Sequence, residues 1–153
     1  MIKLKSILTE QSTPTVVFVS GLTKYESVDA QGNRIQSGMP GFQVITFHYK
    51  DKEKIIKYLK DNNVQALILY SKSCEYWKTY KPYINNIFCI EPWNGSNKMV
   101  SRYSGFPADN MWVGPEDYRG NGLKTNNDIV PGKGTRGHIE ALSVVSLLIA
   151  RKI

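Results

Sequence analysis

Apolar and polar positions along this chain fall into blocks that predict strands alternating with helices. Residues 15–20, Thr-Val-Val-Phe-Val-Ser, are a β-branched run ending at Gly21, as in a buried strand. Phe42 to Tyr49 is a second strand, and Asp51 then caps a helix carrying Ile55, Ile56, Leu59 and Tyr58 on one side. Val64 to Tyr70 is apolar except for Gln65, as expected of a central parallel strand covered on both faces. The pattern continues with a short helix over Glu75 to Tyr83, halted near Pro82, and a fourth strand over Asn86 to Ile90. A helix over Asn97 to Tyr103 is closed by Gly105 and Pro107, a fifth strand spans Asn110 to Val113, and an apolar helix spans Ile139 to Arg151. Thr23 to Gly41 is polar, contains Asp29-Ala30-Gln31-Gly32-Asn33, and reads as a turn or hairpin connection. Gly114 to Gly137 is rich in Gly, Asn, Asp and Pro, a long loop of the kind that is usually functional or mobile.

This order implies an α/β fold: a three-layer α/β/α arrangement around a mostly parallel sheet of about five strands with right-handed crossovers. A chain of 153 residues suits one domain, here 15–153, preceded by an arm, 1–14. Ligands in such sheets bind beyond the carboxyl ends of the strands, where Gly21, Tyr49, Ser71, Glu91 and Gly114 fall.

Composition narrows the function classes. No apolar stretch reaches the roughly 18 residues that span a bilayer. The first ten residues are basic in places but lack the apolar core and cleavage site of a secretory signal, so a cytoplasmic protein is expected. The net charge of +7 favours an acidic partner. Lys50, Lys52, Lys54, Lys57 and Lys60, however, alternate with Asp51, Glu53 and Asp61 and read as a solvated face, and the absence of a nucleic-acid-binding motif argues against that class. Two cysteines make no disulfide framework: Cys89 reads as a small buried hydrophobe, and so does Cys74 in preference to a reactive thiol. There is no HExxH, paired CxxC or His cluster, so neither a metal nor a cofactor is expected. The glycines of Gly120-Asn121-Gly122 and Gly132-Lys133-Gly134-Thr135 lack phosphate-loop spacing.

Chemistry is suggested at Ala66-Leu67-Ile68-Leu69-Tyr70-Ser71-Lys72-Ser73-Cys74, where an apolar run stops at a serine followed by small residues. On a tight strand-to-helix turn Ser71 would project its hydroxyl from the sheet edge, with the Lys72 N–H aimed at a developing oxyanion. An acid follows the fifth strand in Val113-Gly114-Pro115-Glu116-Asp117, and a histidine precedes the last helix in Arg136-Gly137-His138. Each has a plainer use: Ser71 as a helix N-cap, Asp117 as a turn residue, His138 as a helix-start residue. Of the two histidines, His48 lies inside a strand and reads as structural.

Taken together, these segments resemble the α/β-hydrolase superfamily in a much reduced form, over about residues 15–153. The resemblance implies a serine hydrolase of esterase, thioesterase or amidase type. Ser71 is then the nucleophile, with Ser73 the next option. His138 is the base, and Asp117 orients it, with Glu91 as competitor. The N–H groups of Leu22, after Ser20-Gly21, and Lys72 form the oxyanion hole. Ser73 and Cys74 supply the small neighbours of the elbow, while Leu69 stands where the family usually has Gly. Tyr25, Trp93 and Tyr118, with Tyr76, Trp77 and Trp112, would line the substrate cleft. The expected target is a small-molecule or polymeric ester or amide. The rival reading is a non-catalytic module that keeps the sheet and uses the same edge to bind. The N-terminal arm also resembles leader segments of tailed-phage structural proteins, which would place the chain in a host cytoplasm or a virion. A flavodoxin-like nucleotide-binding domain is the third reading, with phosphate near Gly21 to Tyr25.

Overall fold

The apolar runs pair side by side as a parallel sheet. A computed structural model of the chain describes residues 13–21, 25–91, 105–107, 110–113 and 145–153, with backbone only at 25–27, 71, 72, 91, 112 and 113. The strands are β1 (Thr15–Ser20), β2 (Gln43–His48), β3 (Val64–Tyr70), β4 (Ile87–Glu91) and β5 (Met111–Val113). They lie in the order β2-β1-β3-β4-β5, and every neighbouring pair is parallel. The helices are α1 (Tyr25–Gly38), α2 (Lys52–Asp61) and α3 (Trp77–Tyr80), the last continuing a 3₁₀ helix over Ser71–Tyr76. Residues 145–152 form α4. The fold is therefore of the parallel α/β class.

Side chains of the central strands alternate strictly between two cores. Val16, Phe18, Ala66, Ile68, Tyr70, Phe88 and Ile90 meet Ile35 and Met39 from α1 and its exit, and Val145 and Ile149 from α4. Their neighbours Val17, Val19, Leu67, Leu69, Ile87 and Cys89 point the other way, onto Ile55 and Leu59 of α2 and Cys74, Trp77 and Tyr80. Such double coverage is why these strands are apolar without a polar face. Gln65 interrupts β3 because the register with β1 slips there: Thr15 faces Val64, Val16 faces Ala66, and Gln65 is passed over and exposed. Its carbonyl accepts from Asn86 Nδ2 at 3.3 Å.

Between β1 and β2 the expected turn is instead α1. Buried positions Val28, Gln31, Gly32, Ile35 and Met39 recur every three or four residues, a helical face whose middle is polar or side-chainless. Gln31 is tolerated there because Ser20 Oγ donates to its Oε1 at 2.6 Å. Gly32 is there because Thr46 of β2 occupies the space a side chain would need. Gln36 then fixes the exit into β2, donating to the Met39 and Phe42 carbonyls at 3.1 and 2.8 Å and accepting from the Val44 N–H at 3.0 Å. The helix after β2 begins where expected, although Asp51 makes no side-chain capping bond. The expected helix over 97–103 and the start of the helix over 139–151 lie outside the described residues.

Tyr80 is fully buried, and its hydroxyl has no hydrogen-bond partner among the described residues. Burial first, then Tyr76 and Asp51, push its pKa up to about 12. Because the folded state holds the neutral phenol more tightly than the unfolded chain, whose phenol ionises near 10, this contribution to stability is complete below about pH 10. It is lost as pH climbs towards 12. Tyr80→Phe is expected to leave stability at pH 7 unchanged or raise it by about 1 kcal/mol, and to flatten the alkaline decline. Thermal melts from pH 7 to about 12 check this; a variant clearly weakened at neutral pH would mean the hydroxyl is bonded.

Candidate functional site at the strand ends

A sheet ordered 2-1-3-4-5 reverses its winding between β1 and β3, and the crevice outside the carboxyl ends of those two strands is the usual ligand position. Ser20 and Gly21 close β1 there, and Tyr70 and Ser71 close β3. Val19 pairs with Leu69, and Tyr70 with Ile90. Gly21 directly follows β1 and Glu91 ends β4, so both lie at the same end of the sheet as Ser71, on the strands that flank β3.

The turn at Ser71 is tight because β3 passes directly into the 3₁₀ helix. Tyr70, with extended backbone at φ −123°, is the cap residue, and Ser71 and Lys72 are the first two helical residues. First-turn N–H groups have no acceptor within a helix, and the Lys72 amide is one of them. The capping work falls to Ser73. Its fully buried hydroxyl accepts from the Tyr70 N–H at 2.7 Å and lies 2.8 Å from the Val19 carbonyl and 2.9 Å from that of Tyr70, to either of which it donates. Ser73 thus pins the exit of β3 to β1, which removes it as an alternative nucleophile. Ser73→Ala should cost about 1–3 kcal/mol in urea denaturation by stranding a buried N–H. An unchanged midpoint would show that the clamp contributes nothing.

The small residues after Ser71 sit against the sheet. Cys74 is fully buried, with Sγ 3.3 Å from the Leu69 carbonyl and 3.7 Å from that of Ile90, and Cys89 is buried in the same core. Both are packing residues in this setting. Leu69 is fully buried, its side chain directed into the core shared with α2 and α3.

Other expected residues are placed as follows. Glu91 is the last residue of β4, on the strand next to β3, and pairs with Val113 of β5. Asp117, His138, Leu22, Trp93 and Tyr118 lie outside the described residues, and Tyr25 opens α1 without a described side chain. His48 is buried at the end of β2, accepts from the Lys50 N–H at 3.2 Å through Nδ1 and stacks on Tyr49, so it is held as a packing residue. Tyr76 carries the Lys52 ammonium 3.7 Å above its ring.

Trp77 is not at this rim. It packs edge-on against Phe106 and, with Lys81, Asn85 and Asn110, lines a shallow cavity at the amino ends of β4 and β5. It is removed from the cleft residues because the 3₁₀ helix over Ser71–Tyr76 carries the chain back from the carboxyl end of β3 before Trp77 is reached.

No protein-family model, curated protein or solved structure matches the chain. The chemistry is accordingly read from its own residues. No helix among the described residues is long and apolar enough to cross a membrane. Among the same residues, no group of three or more His, Cys, Asp or Glu is arranged to hold a metal ion. The rim feature that sequence reading missed is the buried Ser20–Gln31 hydrogen bond, which ties α1 to the end of β1 beside Gly21. A polar residue at helical spacing from Val28 and Ile35 was the available signal.

Proposed function

We propose that this chain is a small serine hydrolase of reduced α/β-hydrolase type, with a three-layer core and a Ser-acid-His triad. The single observation that carries the reading is the position of Ser71: first residue of a helical turn, at the carboxyl end of a central strand, at the switch point of the sheet. Ser73 supports it by taking over the capping duty that would otherwise explain a serine here.

In this mechanism His138 accepts the Ser71 proton as Oγ attacks an ester, thioester or amide carbonyl, and Asp117 holds the imidazole in the productive orientation. The N–H groups of Lys72 and Leu22 receive the negative charge on the carbonyl oxygen. His138 returns the proton to the leaving group, giving an acyl-Ser71 ester and the released alcohol, thiol or amine. Water, deprotonated by His138, then releases the acid and restores Ser71. Glu91, on the strand adjacent to Ser71, is the competing acid.

The test is turnover of p-nitrophenyl acetate by wild type, Asp117→Asn and Glu91→Gln. The expected result is release above the buffer blank, reduced about 10⁴-fold by Asp117→Asn and only a few-fold by Glu91→Gln. The reverse pattern would move the acid role to Glu91, and no release by the wild type would contradict the enzyme reading. In that case Leu69, filling the position where the family uses Gly, favours the second reading: a binding module that uses the same rim without chemistry. The strand order is also that of flavodoxin-like domains, for which a nucleotide copurifying with the protein is the distinguishing outcome.

A further inference from the structure

One face of the sheet, covered by α2 and α3, carries a concentration of positive charge. Residues 50–83 contain eight lysines, four acids and no arginine. Lys54, Lys57 and Lys60 on α2, Lys78 on α3 and Lys81 just after it are all exposed. Glu53 and Asp61 are exposed on the same helix, with Lys57 four residues from each, the spacing at which helical ion pairs form. None of the five lysines nevertheless joins an ion pair with another described residue. Three of them contact rings instead: Lys60 lies 5.3 Å from the centre of Tyr83, and Lys78 and Lys81 each lie 5.6 Å from that of Trp77. An aromatic face orients an ammonium without neutralising it. The acids interleaved in the sequence thus leave this face basic.

We infer that the α2–α3 face is an electrostatic docking surface for the phosphate backbone of nucleic acid. Lysine meets phosphate as a point charge, and a contact that reads charge alone needs no arginine fork, which this stretch lacks. Lys54, Lys57 and Lys60 follow one another at three-residue intervals, about 4.5 Å of helix rise each, a regular series suited to a polymer of repeating charge. Among the described residues on this face only Tyr83 is an exposed large apolar side chain, too little to enter a lipid acyl boundary. Backbone docking of this kind reads charge rather than sequence, so no base-reading motif is required. It is independent of the hydrolase reading.

The test is fluorescence anisotropy of a labelled mixed-sequence DNA duplex with the full chain, from about 50 to 200 mM salt. Engagement of the five lysines predicts a slope of log K against log salt of about −4.5, since each neutralised phosphate contributes about −0.9. Lys54→Gln/Lys57→Gln/Lys60→Gln should weaken binding at least tenfold and bring the slope to about −2. The control is Arg34→Gln/Arg151→Gln/Lys152→Gln, which removes the same charge from α1 and α4 on the opposite face and should weaken binding much less. Equal losses from both triple variants would assign binding to net charge and overturn the inference, as would no binding at the lowest salt. Capture by phosphatidylglycerol vesicles with none by the duplex would overturn it in favour of a lipid surface.

Discussion

Ser71→Ala is expected to lower kcat for p-nitrophenyl ester hydrolysis by about 10⁴-fold or more, while the protein remains folded by circular dichroism. The size follows from what the hydroxyl does in the proposed reaction: it forms the bond to the acyl carbon, and no neighbour can take its place. Ser73 cannot substitute, since its oxygen is fully buried and held at 2.7–2.9 Å by the Tyr70 N–H and the carbonyls of Val19 and Tyr70. Cys74 is buried one residue further on, against the Leu69 carbonyl. His138→Ala should fall by a similar factor, and the double variant by little more than either alone, because the two residues act as a unit. Additive losses would show that they serve separate purposes. A Ser71→Ala protein that retains wild-type turnover would place the chemistry elsewhere.

Gly32→Ala is expected to destabilise the fold by about 1–3 kcal/mol, although alanine is the better helix former. The propensity gain in a helix interior is about 1 kcal/mol. Against it, a Cβ at position 32 would overlap Thr46 Oγ1 and sit 3.0 Å from both Thr46 Cβ and Cγ2. A β-branched residue in a strand has little rotamer freedom with which to retreat, so α1 must move away from β2, and overpacking of this kind usually exceeds the propensity gain. Urea denaturation gives the sign directly. Thr46→Ala in the Gly32→Ala background should recover most of the loss, because it removes both the hydroxyl and Cγ2; a stabilised single variant would mean that α1 and β2 are not in contact at this point.

The strands were legible because burial on two faces forces a continuous apolar run, and Thr15–Ser20, Val64–Tyr70 and Ile87–Glu91 are such runs. Even the polar exception, Gln65, has its place at the register slip. Helix α1 was not legible, because its core-facing stripe passes through Gln31 and Gly32. The first is satisfied only by Ser20 on another strand, and the second is selected by the nearness of Thr46, and neither contact can be seen locally in sequence. The strand-end position of Ser71 was legible from the abrupt halt of β3, whereas the division of labour between Ser71 and Ser73 depended on the path of the 3₁₀ turn. The same turn carried Trp77 away from the rim to which its sequence neighbours belong. Interleaved charges on α2 read as a solvated face, and in the structure none of that helix's lysines joins an ion pair with its acids, Lys60 lying over the ring of Tyr83 instead.

The proposed reaction requires Ser71 to be an activated nucleophile. Incubation of the full chain with a fluorophosphonate probe, followed by proteolysis and peptide mass mapping, tests it most directly. The expected result is a single phosphonylated peptide with the adduct on Ser71, lost in both Ser71→Ala and His138→Ala. An unlabelled wild-type protein, or an adduct on any other residue, would contradict it.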